Sequence, residues 1–196
     1  VPMDAYHSRD NSRYEKALSM ADDLGCNIIR CWGGNVYEDH DFFNYCDEHG
    51  ILVWQDFAMA CHQYPQHSRF MAKLEKEAEW VVKELRDHPS LALWSGDNEI
   101  DSMLAGNGVD PSTNRLTREV LPRVVERLDP ERPYIASSPY ISSTAYNMGD
   151  NRQGSQVYPE DHLWGPRDYF KSSFYTNSKA YFVSETGYHG CPNKES

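Results

Sequence analysis

Two glutamates stand where an apolar run abruptly turns polar. Leu91-Ala92-Leu93-Trp94 gives way to Ser95-Gly96-Asp97-Asn98-Glu99, and Tyr181-Phe182-Val183 gives way to Ser184-Glu185. A carboxyl group at the end of a buried strand is carried to the mouth of whatever cleft the strands enclose. Two such groups facing one another suit glycoside cleavage, in which one acid protonates the leaving oxygen while the other attacks the sugar carbon or activates water. Either glutamate alone reads equally well as a solvated acid. The pair carries the reading, together with Arg30, Trp32 and Asn98 at equivalent strand ends. Trp32 and Trp164 offer flat apolar faces of the kind that sugar pockets combine with a few polar groups. Trp54 and Trp94 fall inside strands and read as core.

Competing chemistries lack their residues. Cys61-His62 with His67 has neither the HExxH pattern nor paired zinc-ligand spacing. There is no GxSxG elbow and no Walker-type phosphate loop. The expectation is therefore an enzyme that works without metal or organic cofactor.

The elements that position these residues follow from periodicity. Tyr14, Ala17, Leu18, Ala21 and Leu24 recur at helical spacing over about 12–24, behind a capping box at Ser12 and before Gly25. Shorter helical runs lie near 40–48 and from about 116 to 128, the second containing Pro122, which must sit in a first turn or kink the helix. Phe70, Met71, Leu74, Ala78, Val81, Val82 and Leu85 form one apolar stripe over 67–86, with Glu79 and Lys83 as an i,i+4 pair. His88-Pro89 closes it. Apolar strand-like runs begin near 27, 51, 91, 134 and 181, and the last gap has room for another short strand around His162-Leu163-Trp164. The stretch 141–161 is polar and reads as a long loop after a strand.

Helices between strands imply a parallel sheet, either doubly wound or part of a (β/α)8 TIM barrel. Cys31-Trp32-Gly33-Gly34 lacks the GxGxxG spacing that the doubly wound nucleotide folds use. Polar residues instead collect at C-terminal strand ends: Arg30, Asp56, Asn98, Glu99, Ser137, Ser138, His162 and Glu185. Barrel enzymes assemble their sites at that face. A barrel of this kind needs about 250 residues, so a chain of 196 residues beginning Val1-Pro2-Met3 reads as an incomplete barrel from a longer protein.

Bulk properties narrow the partners. With 30 acidic and 19 basic residues the formal charge is −11, which repels a phosphate backbone and argues against nucleic acid. No apolar run is long enough to span a membrane. Four of the five cysteines, Cys26, Cys31, Cys46 and Cys61, sit in apolar contexts and read as small reduced core residues, with Cys191 apart. Compartment and oligomeric state stay open.

The run "IIRCWGGNVYEDHDFFNYCDEHGILVWQDFAMACHQYP", followed by "HPSLALWSGDNE", "SSP", "HLW" and "YFVSETG", resembles the catalytic barrel of glycoside hydrolase family 2, in its β-mannosidase branch. The resemblance covers nearly the whole chain. It implies a retaining exo-acting glycosidase that removes terminal non-reducing β-mannosides from a carbohydrate substrate. Glu99 would be the general acid/base and Glu185 the nucleophile. Arg30 and Asn98 match residues that hold the sugar 2-hydroxyl and orient the nucleophile, and Trp32, His162 and Trp164 match the terminal sugar pocket. Residues 1–9 match the loop after the family's first strand, so the first and eighth strands and the flanking β-sandwich domains would lie outside the chain. The chain departs from the family at Asp97, where asparagine is usual, and at Thr186, where an aromatic is usual. Asp97 would raise the proton affinity of Glu99 if the two side chains were close. Left open beside this reading are another exo-β-glycosidase of the same fold, acting on glucosaminides, galactosides or glucuronides, and a non-catalytic carbohydrate-binding barrel.

Overall fold

The structure, a computed structural model, describes residues 14–149, 160–165, 173–178 and 180–187. Strands and helices alternate along it. Helix α1 (Tyr14–Asp23) leads into β1 (Ile28–Cys31), α2 (His40–His49) into β2 (Leu52–Asp56), and α3 (Ser68–Leu85) into β3 (Leu91–Ser95). After β3 come α4 (Ile100–Gly106), a 3-10 turn (Pro111–Thr113) and a π-helical turn (Leu116–Val120) that runs directly into α5 (Leu121–Leu128). Then follow β4 (Tyr134–Ile135), α6 (Ser143–Asn147), β5 (Glu160–Leu163), α7 (Ser173–Thr176) and β6 (Phe182–Thr186).

Every strand expected from the apolar runs is present, and the short extra strand near His162 begins slightly earlier, at Glu160. All ladders are parallel. Strands β1-β2-β3-β4 form one sheet in sequence order, and β5-β6 form a second. Among the described residues no ladder joins β4 to β5 or β6 to β1, so the molecule is a parallel α/β arrangement in two arcs. Side chains bridge the arcs: Arg30 of β1 meets Glu185 of β6 at 3.0 Å.

The core lies between the four-stranded sheet and the helices outside it. Leu74, Ala78, Val81, Val82 and Leu85 of α3 pack with Val53, Leu91 and Trp94 of the strands and with Leu121, Val124 and Val125 of α5. Each buried leucine- or valine-sized side chain contributes about 1.5–3 kcal/mol. Local signals set the helix ends. Asp39 caps α2 by accepting from the Phe42 amide at 3.2 Å, and Gly50 ends that helix with φ 69°. His67 caps α3, its ring accepting from the Phe70 amide at 3.2 Å.

Three expectations need correction, and the one for Pro122 is met. Glu79 pairs with Arg127 of α5 rather than with Lys83, because the acidic side of α3 packs against α5; Glu75 meets Arg123 at 3.2 Å in the same seam. Pro122 lies in the first turn of α5, one of the two places its missing amide allows, and the wider π turn before it carries the Leu121 amide to the Leu116 carbonyl. Of the cysteines read as core, Cys31 and Cys46 are buried, but Cys26 and Cys61 are exposed. The polar stretch after β4 contains α6, capped by Ser142. The Ser12 capping box, residues 1–9, Cys191 and residues 150–159 lie outside the described residues.

Candidate active site

Beyond Ser95 the β3 chain leaves its ladder and is pinned between two loops. Asn98 makes parallel bridges to Ala60 on one side and Ser138 on the other. The Asn98 amide donates to Met59 O at 3.0 Å, the Glu99 amide to Ser138 O at 2.8 Å, and the Cys61 amide to Asn98 O at 2.8 Å. Glu99 is the residue that turns the chain, with φ 61° and ψ 12° in the left-handed region. For a side chain with a Cβ this conformation costs about 1–3 kcal/mol and persists only where the surroundings enforce it. The turn sends Glu99 to the same mouth as Asn98, although strict alternation would separate them. Gly96 serves another purpose. A Cβ there would lie 2.3 Å from Ala136 O, so the glycine lets the β4 segment come close enough to pin the turn.

Arg30 is the hub. Its Nη2 donates to Asp56 Oδ2 at 2.7 Å and to Asn98 Oδ1 at 2.8 Å; its Nη1 donates to Glu185 Oε2 at 3.0 Å. Its guanidinium lies over the Trp54 ring, 5.4 Å from the centroid. Asp56, buried, also accepts from Trp54 Nε1 at 2.9 Å and the Gly33 amide at 3.0 Å. Burial works against the arginine's charge, but the carboxylate of Asp56 outweighs it and leaves the Arg30 pKa above the ordinary value.

His162 sits between the two glutamates. Its Nδ1 is 2.9 Å from Glu99 Oε1 and 3.5 Å from Glu185 Oε2; its Nε2 is 3.3 Å from Arg30 Nη1 and 2.9 Å from Ser138 Oγ. Arginine can only donate, so Nε2 accepts in the neutral ring and Nδ1 carries the proton toward the carboxylates. One oxygen of Glu99, one of Glu185 and one ring nitrogen of His162 lie within 4.8 Å of one another. Trp164 Nε1 donates to the second oxygen of Glu185 at 2.7 Å. Two hollows open beside this cluster and share Trp164. One, of about 280 Å³, is lined by Arg30, Trp32, Trp164, Ser184 and Glu185. The other, of about 440 Å³, has Glu99 and His162 on its wall with Cys61, Met103 and Phe174.

The sequence-derived residues Arg30, Trp32, Asn98, Glu99, His162, Trp164 and Glu185 thus meet in one place. Three partners were missed. Trp54, read as core, forms the floor beneath Arg30. Glu160 of β5 accepts from Ser138 Oγ at 3.2 Å, from the Tyr140 amide at 2.9 Å and from Ser184 Oγ, tying the base of β6 to the β4 loop. Cys61 touches both Asn98 and Glu99. None of the three stands at a C-terminal strand end, where the polar residues of the site collect.

Asp97 is fully buried against the β4 loop. It accepts from Ser137 Oγ at 2.5 Å and from the Ile100 amide at 3.2 Å, beside the Asp101–Arg118 ion pair. Burial, and then the neighbouring Asp101 carboxylate, push its pKa well above the ordinary carboxylate range. The sign follows. Because the folded chain keeps this proton to higher pH than the unfolded chain does, stability falls as pH rises above the unfolded value near 4. Asp97→Asn is expected to remove that slope. Thermal melts should show a gain over the parent that grows between pH 4 and pH 7.

Parallel strands that bring two carboxyl groups, an arginine, a histidine and tryptophans to one mouth define an α/β domain of the glycosidase type. No family model matches the chain. β-Mannosidase from Bos taurus is 32% identical over 98% of this chain and 23% of its own length, and β-mannosidase B from Aspergillus oryzae is 37% identical over 58% of this chain and 15% of its own. The crystal structure of β-D-mannosidase from Dictyoglomus thermophilum superimposes with a TM-score of 0.80 at 36% identity, covering 94% of this chain and 22% of that one. A Bacteroides uniformis β-glucuronidase, 20% identical with a TM-score of 0.53 over 63% of this chain and 15% of that one, shares the fold. The chain is a β-mannosidase-like domain of glycoside hydrolase family 2. It spans 23% of the length of the Bos taurus relative.

Proposed function

We propose that the chain is the greater part of a (β/α)8 catalytic barrel, flanked in the whole protein by other domains, that hydrolyses terminal non-reducing β-mannosides with retention. The observation that carries this is the pair Glu99 and Glu185, with oxygens within 4.8 Å of each other. Carboxyl groups of retaining enzymes stand about 5–5.5 Å apart, and those of inverting enzymes about 6.5–9.5 Å. No metal or organic cofactor takes part in the steps.

Glu185 is the nucleophile. Arg30 anchors its Oε2, which leaves Oε1 to attack the anomeric carbon once the sugar takes the place of the Trp164 N–H. Glu99 gives its proton to the glycosidic oxygen, the bond from that oxygen to the anomeric carbon breaks, and the leaving group departs as an alcohol. A mannosyl ester on Glu185 remains. Glu99, now a carboxylate, takes a proton from water, whose oxygen attacks the same carbon and frees Glu185. Two inversions give net retention. The hollow at Glu185 holds the mannosyl ring between Trp32 and Trp164, with Arg30, Asn98 and His162 supplying polar contacts; the hollow at Glu99 holds the leaving group.

Trp164 lies over Gly187, where a Cβ would stand 2.5 Å from the indole ring. Gly187→Ala displaces that wall. KM for a β-mannoside is expected to rise about three- to tenfold, the worth of one aromatic contact, with a smaller change in kcat. Sugar identity is tested by steady-state kinetics of the full-length protein on aryl β-mannoside, β-glucoside, β-galactoside, β-glucuronide and β-glucosaminide. The mannoside should show the highest kcat/KM. A higher value for any other sugar overturns the assignment.

A further inference from the structure

Arg30 can only donate, and its Nη2 meets the side-chain oxygen of Asn98 at 2.8 Å. The Asn98 amide orientation is therefore fixed, and its Nδ2 donates to Cys61 Sγ at 3.3 Å. With that side of the sulfur accepting, the thiol hydrogen is directed to Glu99 Oε2, 3.4 Å away. The result is a directional chain from Arg30 through Asn98 and Cys61 to Glu99, while the same guanidinium holds Glu185. Backbone geometry fixes the sulfur in place. The Cys61 amide is bound to Asn98 O at 2.8 Å, and Cys61 has φ 46°, so the left-handed turn at Glu99 is matched by a second one opposite it.

Resting on the roles proposed above for Glu99 and Glu185, we propose that Cys61 is a positioning residue for the acid/base: its thiol holds Oε2 of Glu99 at the wall of the leaving-group hollow, opposite the His162 contact on Oε1. A donor S–H suits this place better than a thiolate would. Partial desolvation, and the carboxylates of Glu99 and Glu185 outweighing the Asn98 contact, raise the Cys61 pKa, so the sulfur keeps its hydrogen.

A residue that aims the acid/base matters most when the leaving oxygen needs a proton. Two substrates of the full-length protein separate this from a general structural effect: an alkyl or disaccharide β-mannoside, whose leaving group is poor, and a dinitrophenyl β-mannoside, whose leaving group departs unaided. Cys61→Ala should lower kcat/KM on the poor leaving group about five- to tenfold, the worth of one hydrogen bond, and on the activated one less than about twofold. Cys61→Ser, which keeps a donor, should recover most of the loss. Cys61 is exposed, and an unchanged melting temperature would verify that the alanine variant folds. Equal losses on both substrates, no loss on the poor one, or no recovery by serine overturns the assignment. Absence of turnover by the parent protein on both substrates would overturn the proposed activity itself, which the Glu99 and Glu185 variants test separately.

Discussion

Glu185→Ala is expected to lower kcat on an aryl β-mannoside by about 10⁴-fold or more, without loss of folding. The carboxylate is the group to which the anomeric carbon is transferred, and no neighbour can substitute for it. Glu99 is held on the far side of His162, and Asp56 is buried beneath Arg30. Removing a residue that forms a covalent intermediate costs far more than removing one binding contact. The side chain is partly exposed, so its loss opens no core cavity. Added azide gives a sharper readout. It enters the space left by the carboxylate, attacks the intact substrate from the side opposite the leaving group, and yields the α-mannosyl azide. Chromatography and NMR of the product decide the point; a variant that keeps more than about a hundredth of parental kcat would remove Glu185 from the role.

Glu99→Ala is expected to act differently on different substrates. With a poor leaving group, kcat/KM should fall by about 10²- to 10⁴-fold, the range contributed by a positioned general acid. With a dinitrophenyl leaving group the first step should be nearly unchanged, while loss of the base slows hydrolysis of the mannosyl ester, so the ester accumulates and KM falls with kcat. Azide, which needs no base, should raise kcat and give the β-mannosyl azide, the opposite anomer to that from the Glu185 variant. Equal rate losses across leaving groups, measured in a series of aryl mannosides, would show that Glu99 is not the proton donor.

Much of this was legible in the sequence because it depends on short-range order. A stripe such as Leu74, Ala78, Val81, Val82 and Leu85 has one helical reading, and the polarity break after Trp94 marks where β3 leaves the sheet. The composition of the site could also be read, since strand ends collect the residues that face a common mouth. What could not be read depends on segments distant in sequence. Glu99 takes its left-handed turn because the loops at Ala60 and Ser138 grip Asn98 from both sides. Asp97 bonds Ser137 and lies beside the Asp101–Arg118 pair, contacts set by how α4 packs on the β4 loop and invisible in the local sequence. Cys61 looked like core because its neighbours are apolar, yet the bridge at Ala60 carries it to the mouth. Glu79 chose Arg127 over Lys83 because helix packing offered it a nearer guanidinium.

The mechanism turns on a mannosyl ester at Glu185. The most direct measurement is to treat the full-length protein with a 2-deoxy-2-fluoro-β-mannosyl fluoride, which forms the ester readily and releases it slowly, then locate the label by peptide mass spectrometry. One added 2-deoxy-2-fluoromannosyl group is expected, on the peptide containing Phe182–Thr186 and localised to Glu185. Label on another residue, or release of 2-deoxy-2-fluoro-α-mannose as the first product with no labelled species, would contradict this mechanism.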